Sequence, residues 1–128
     1  MNKDSNSLNW FEIAANDIHR AKAFYENIFD IEMDTMEMMG MQMAFFPSTE
    51  GNGKANGALV QGEMNIPSAD RGCLIYLNAD PDMTPVLERI PNNGGTILMP
   101  KTLIAEGMGY MAFFLDSEGN RMGLHSNK

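Results

Sequence analysis

The stretch MAFFPSTEGN at residues 43–52 reappears as MAFFLDSEGN at residues 111–120, and seven of the ten positions are identical. The chain has 128 residues, so one copy lies in each half. A long repeat at this separation indicates that the same structural unit occurs twice. The segments on either side of each copy are therefore compared in pairs.

The first half of the chain shows the patterns of strands and of one helix. Residues 10–15 are apolar except for Glu12, and Asp17 precedes apolar residues at helical spacing. Three further strands are predicted at residues 31–38, 41–46 and 58–61, separated by Gly40 and by a polar turn at residues 50–57. The first unit is predicted to be βαβββ. Its helical apolar residues are Ile18, Ala21, Phe24, Tyr25 and Ile28.

The second half repeats this order. A strand is predicted at residues 73–78, followed by a helix at 83–92 that Gly94 and Gly95 end. Three more strands are predicted at residues 96–99, 110–115 and 121–125. Residues 63–71 connect the two units.

A single unit of this size cannot bury both faces of its sheet, so two copies are expected to pack side by side. The fold class predicted is α+β, with two tandem βαβββ modules that form a curved mixed sheet of eight strands around a cleft. The whole chain, residues 1–128, is predicted to be one domain, with modules at 8–62 and 72–125. Alternation along the first strand places Trp10 and Glu12 on the cleft side, and an offset of 63 residues pairs Trp10 with Cys73.

Charge and composition narrow the classes of partner. The formal net charge is −8, which disfavours nucleic acids and anionic membrane surfaces. The longest apolar runs are much shorter than the roughly 20 residues of a membrane-spanning helix. A single cysteine, Cys73, cannot form an internal disulfide, so a cytoplasmic location is expected.

The residues of both halves together resemble the vicinal-oxygen-chelate superfamily of glyoxalases, bleomycin resistance proteins and dioxygenases. The resemblance rests on LNWFEI at residues 8–13, on Asp17 with the Phe24-Tyr25 pair, and on DSEGNRMGLH at residues 116–125. It is nearest to uncharacterised proteins related to lactoylglutathione lyase. The resemblance implies the tandem fold and a homodimer, and an exposed sheet edge favours the same assembly.

The resemblance also implies where a metal would be held. Members that use a metal ligate it from positions that correspond here to Trp10, Ala58, Cys73 and Gly123. Three of these cannot ligate, and a lone thiolate is a poor anchor for a divalent ion in an open site. We therefore expect no metal or other cofactor.

The remaining candidates point to a small organic molecule as the ligand. Glu12, a carboxylate in an apolar strand, and His125 are the candidate catalytic residues, and each has a purely structural alternative. Catalysis by a metal-free base and binding without catalysis both stay open, as does a metal-dependent lyase or dioxygenase of the glyoxalase type that uses a displaced ligand set of Glu12, His125 and Cys73. The candidate ligand-binding residues are Trp10, Met43, Phe45, Cys73, Lys101, Met111 and Phe113.

Overall fold

The computed structural model describes residues 2–51 and 53–128, so Met1 and Asn52, the last residue of the first repeat copy, lie outside the described residues. Over these described residues, eight strands and two α-helices follow the order βαβββ twice. Among the described residues, no helix has the length and apolar character needed to cross a bilayer. The elements are β1 (Trp10–Ala14), α1 (Ile18–Phe29), β2 (Asp34–Met38), β3 (Met41–Phe45), β4 (Asn56–Gln61), β5 (Tyr76–Asn78), α2 (Thr84–Arg89), β6 (Thr96–Ala105), β7 (Gly109–Leu115) and β8 (Arg121–Ser126).

The strands form two four-stranded mixed sheets with the orders β1-β4-β3-β2 and β5-β8-β7-β6. In each sheet the first and last strands of the module pair in parallel, and the other neighbours are antiparallel. The predicted α+β class with tandem βαβββ modules is confirmed. The eight strands are nevertheless divided between two hydrogen-bonded sheets, and β1 and β5 are edge strands where the modules meet.

Several elements begin or end elsewhere than predicted, each for a local reason. The backbone N–H of Met33 donates to the Glu26 carboxylate at 2.8 Å, so β2 starts only at Asp34. The second helix stops at Arg89, and a short 3-10 turn, Pro91–Asn93, follows because proline has no N–H for the helix to use. The second strand of the second module, β6, is much longer than predicted and runs to Ala105.

Strand register fixes which residues of the two modules are equivalent. Phe45 pairs with Ala58, which pairs with Glu12, and in the second module Phe113 pairs with Gly123, which pairs with Tyr76. Tyr76 is therefore the counterpart of Glu12, an offset of 64 residues. The pairing of Trp10 with Cys73 is wrong by one residue, because by this register the counterpart of Trp10 is Leu74.

The core lies between the helices and the inner faces of both sheets. Asp17 caps α1 by accepting hydrogen bonds from the backbone N–H groups of His19 and Arg20, and these donors, with the Arg20 charge, lower the pKa of the Asp17 carboxyl. The predicted apolar residues of α1 are buried. Ile13 and Ala15 of the first module and Leu77 and Phe114 of the second belong to one core cluster.

The second copy of the repeat connects the modules through a buried carboxylate, Asp116. Its two oxygens accept four hydrogen bonds: from the Tyr25 hydroxyl at 2.8 Å and, at 2.9 Å each, from the backbone N–H groups of Glu118 and Asn120 and the Asn120 amide. The Asn120 amide also donates to the Ala14 carbonyl at 2.7 Å. Burial raises the pKa values of both Asp116 and Tyr25.

Glu118 ties the same loop to the start of α1. Its Oε1 accepts from the backbone N–H groups of Asn16 and Asp17 at 2.8 and 2.7 Å. The Arg20 guanidinium forms a bidentate pair with the carboxylate, with Nε 2.7 Å from Oε2. Burial acts to raise the pKa of Glu118, but Arg20 and the backbone donors outweigh it and the pKa is lowered. The first module thus depends on a carboxylate supplied by the second.

Replacing Glu118 with glutamine should lower the free energy of unfolding by about 2 kcal/mol, because the charge-assisted bonds are lost while the shape is kept. The matched control is Glu50→Gln, the equivalent residue in the first repeat copy, which is exposed. That change should stay within about 0.5 kcal/mol of the unmodified protein. Urea unfolding of the three proteins measures the difference, and equal losses in both variants would contradict the role of Glu118.

The difference in unfolding free energy between the unmodified protein and Glu118→Gln should depend on pH, because the pKa of Glu118 is lowered. A carboxyl whose folded pKa lies below its usual 4.5 stabilises the fold above that value, and the stabilisation is lost as pH falls through the folded pKa. The gap in unfolding free energy between the unmodified protein and Glu118→Gln should therefore be constant from about pH 8 to about pH 5 and shrink below that. A gap that widens on acidification would show the opposite shift.

Candidate functional site

The first sheet has an open face, the face turned away from α1, that is lined by apolar side chains. Alternation puts Trp10 and Glu12 of β1 on this face, together with Met43 and Phe45 of β3. Met43 is buried in a small apolar cluster separate from the main core, with Ala58, Val60, Met41 and Phe45. Met36 and Met38 of β2 pair with Met43 and Met41 and continue the same face.

Trp10 and Phe45 line a cavity of about 470 Å³ at one end of this face, which we call the aromatic-acidic cavity. The two ring centroids are 5.9 Å apart, and Trp10 is 41% exposed. Asp34 is the cross-strand partner of Phe45, and its carboxylate and that of Glu32 both line the cavity. The remaining lining residues are Phe46, Pro47, Ser48 and Asn56.

Glu12 is exposed next to this cavity rather than buried. The indole N–H of Trp10 donates to Glu12 Oε1 at 3.4 Å, a long hydrogen bond that orients both side chains. Glu12 also lines a cavity of about 140 Å³ between the modules, which it shares with Cys73 and Arg121. Cys73 precedes β5 and is exposed.

The open face of the second sheet is occupied by aromatic rings. Tyr76 lies over Gly123, where an added Cβ would be 2.7 Å from the tyrosine ring, and its centroid is 5.8 Å from that of Phe113. Met111 pairs with His125 farther along the same strands. The position equivalent to Glu12 therefore carries a phenol that depends on the absence of a side chain at Gly123.

Neither His125 nor Lys101 lies on the open face of the first sheet. His125 is on the second sheet, where its Nε2 is 2.9 Å from the Met108 carbonyl oxygen. Lys101 is not at the mouth of the open face. Its ammonium lies 2.8 Å from Asp82 and 4.7 Å from the centroid of the Tyr110 ring, which packs against the main core. The Lys101 hydrogen bond strongly lowers the pKa of Asp82.

The positions that would hold a metal do not fit one. Trp10, Ala58 and Gly123 offer no ligand atom, and Leu74, which the register places opposite Trp10 in the second module, offers none either. The displaced set of Glu12, His125 and Cys73 is not assembled. Within residues 2–51 and 53–128, no three His, Cys, Asp or Glu side chains come together in a way that could hold a metal ion.

Asp34 and Glu32, the acidic residues of the aromatic-acidic cavity, were not among the predicted site residues. Tyr76, on the open face of the second sheet, was not predicted either. A signal for Asp34 was present in the hairpin between β2 and β3. Met39 and Gly40 both have positive φ, 53° and 76°, as a two-residue hairpin turn requires. Such a turn pairs Met38 with Met41 and, four residues on, Asp34 with Phe45.

The fold is similar to several solved structures of low sequence identity. Hypothetical protein SA1046 from S. aureus has a TM-score of 0.68 at 15% identity, over 94% of each chain. An E144Q mutant of glyoxalase I from Zea mays has a TM-score of 0.71 at 17% identity, with 94% of this chain but only 45% of the maize chain covered. The fosfomycin resistance protein FosX from Listeria monocytogenes has a TM-score of 0.61 at 17% identity, over 97% of this chain and 92% of its own.

These likenesses establish the fold and not an activity. No curated protein matches the sequence. The sequence profile of the Glyoxalase/Bleomycin resistance protein/Dioxygenase superfamily matches residues 7–124, which is nearly the whole chain. The chain therefore belongs to the glyoxalase, bleomycin resistance protein and dioxygenase superfamily.

Proposed function

We propose that this protein binds a planar organic cation on the open face of its first sheet and does so without a metal. The observation that carries the proposal is the aromatic-acidic cavity, whose lining combines the Trp10 and Phe45 side chains with the acidic residues Asp34 and Glu32. The volume of about 470 Å³ is in the range typical of small-molecule sites.

The chemistry of the walls selects for positive charge and for a flat shape. A cation over the face of an indole or phenyl ring is attracted by the ring quadrupole, by about 0.5 to 2 kcal/mol. Carboxylates at the rim add a charge-assisted contact, and the net charge of −8 raises the local concentration of cations. An anionic ligand would meet repulsion from both sources.

The adjacent methionines extend the apolar wall. Met36 and Met38 are exposed along β2, and flexible thioethers adapt to ligands of different outline. Glu12 lies on the same face, two residues from Trp10, and stays our candidate for a general base if the bound molecule is also transformed. Binding alone requires only the rings and the rim carboxylates. With one exposed cysteine, the protein suits a reducing compartment, and we place it in the cytoplasm.

Trp10 is the only tryptophan, so its fluorescence reports directly on the proposed site. Planar cations such as berberine and ethidium should quench its emission with saturation, whereas a planar anion of similar size should not. Asp34→Asn should weaken the affinity for the cations about tenfold, as expected for the loss of a charge-assisted contact. Titration in low-salt buffer measures both effects.

The matched control is Glu37→Gln, which makes the same change of charge on the same strand. Glu37 pairs with Gln42 on the opposite face of the sheet, so this variant should bind the cations with unchanged affinity. Equal weakening in both variants would mean that only net charge matters and would remove the cavity from the proposal. A thermal midpoint raised by nickel, zinc or manganese and returned to normal by Glu12→Ala would instead support a displaced metal site.

We also propose that the protein is a homodimer in which β6 is at or near the interface. β6 is the edge strand of the second sheet, and it exposes Leu98, Leu103 and Ile104. Light scattering at micromolar concentration should give twice the 14.2 kDa mass of one chain. Leu103→Lys should shift the mass toward one chain, and Met64→Lys, on an exposed connecting loop, should not. A single-chain mass for the unmodified protein would exclude the dimer.

A further inference from the structure

The two modules meet along a seam between the edge strands β1 and β5, and the duplication gives this seam two equivalent ends. At one end, the loop of the second repeat copy contacts the first module. Glu118 accepts hydrogen bonds from the backbone N–H groups of Asn16 and Asp17, and the Asn120 amide donates to the Ala14 carbonyl. The loop of the second repeat copy therefore closes the seam beside α1.

The other end of the seam differs at the two residues that follow the first strand of the module. Ala15 N–H donates to the Val60 carbonyl and Ala79 N–H to the His125 carbonyl, both at 2.9 Å, so Ala15 and Ala79 are equivalent. Asp80 and Pro81 then correspond to Asn16 and Asp17. Proline has no N–H to donate, and the Asp80 carboxylate would repel the incoming carboxylate of the first copy, Glu50. Glu50 is exposed accordingly.

A cavity of about 510 Å³, which we call the seam cavity, lies at this end. Its lining includes Phe11, Phe29, Phe46, Ile31 and Leu77, which belong to or pack against the main core. The seam cavity is thus on the helix side of the sheets, next to the aromatic-acidic cavity but separated from it by Phe46 and Pro47, which line both.

The charged group of the seam cavity is a carboxylate. Asp80 lines the cavity and accepts from the Asn127 backbone N–H at 2.7 Å and from the Asn127 amide at 3.0 Å, which leaves lone pairs on its oxygens for a further donor. The side-chain oxygen of Asn78, a second polar lining residue, accepts from the Asp80 N–H, and Tyr76 also lines the cavity. Phenyl rings and a carboxylate together match an apolar body that ends in an ammonium group.

We propose that the seam cavity is a second ligand site, specific for an arylalkyl or alkyl amine whose apolar part lies among the phenylalanines and whose ammonium pairs with Asp80. The ligand would lie at the end of the seam opposite to the loop of the second repeat copy. This site is distinct from the open face of the first sheet and does not depend on binding there.

The experiment uses 4-phenylbutylamine, the isosteric 4-phenylbutanol and the anionic 4-phenylbutyrate, titrated into the full chain by calorimetry. The amine should bind most tightly and the carboxylate least. Asp80→Asn should weaken the amine about tenfold and leave the alcohol unchanged, because only the ion pair is removed. Ala55→Phe, which fills the rim of the seam cavity, should weaken both and also serves if Asp80→Asn does not fold.

Asp34→Asn separates this site from the aromatic-acidic cavity and should leave the affinity for phenylbutylamine unchanged. If Asp34→Asn weakens the amine while Asp80→Asn and Ala55→Phe do not, the amine binds on the open face and the seam site is refuted. Absence of heat with the amine at millimolar concentration refutes it as well. Loss of planar-cation binding by Trp10 fluorescence with retention of amine binding refutes only the proposed function.

Discussion

The Glu118 carboxylate of the second module binds the start of α1 and thereby joins the two modules. It accepts hydrogen bonds from the backbone N–H groups of Asn16 and Asp17 at the helix N-terminus. The same carboxylate pairs with the Arg20 guanidinium. In the same loop, Asp116 accepts a hydrogen bond from the Tyr25 hydroxyl, and the Asn120 amide donates to the Ala14 carbonyl. One turn of the second module therefore holds both α1 and β1 of the first module. The helices α1 and α2 also pack on each other. The two modules are therefore joined by polar contacts at one end of the seam and by the contact between their helices.

The two repeat copies have nearly the same sequence but different surroundings, and this difference breaks the symmetry of the molecule. At the start of α1 the chain offers two N–H groups and a guanidinium. At the start of α2 it offers Asp80 and Pro81, and the helix begins without a side-chain cap. The two ends of the seam therefore differ in the groups that they offer to a carboxylate. Duplication alone predicts equivalent ends, and the identity of two residues makes them different.

Much of the fold could be predicted from the sequence because its signals are local and occur twice. The Asp17 cap and the periodic apolar residues of α1 predict the helix, and the repeat places β3 and β7 in equivalent positions. The site was harder to predict. The strand register gives an offset of 64 residues between the first strands of the modules, whereas 63 was expected, so Cys73 was paired with Trp10 although the backbone places Leu74 there. The strand that contains Lys101 was predicted to end at residue 99, so Lys101 was expected in a loop at the cleft. Its ion pair with Asp82 joins two segments that are distant in sequence. Asp34 was missed because its role arises only from hairpin register.

The methionine-rich wall of the first sheet has a consequence for the chemistry of ageing and oxidative stress. Met36, Met38 and Met39 are exposed, whereas Met33 and Met43 behind them are buried. Peroxide therefore reaches the outer thioethers first and converts them to polar sulfoxides while the core thioethers are still protected. The apolar wall beside Trp10 becomes hydrophilic before the fold is affected. Reductases that restore methionine would return that wall to its original polarity, so the binding face would be lost and recovered while the core remains intact.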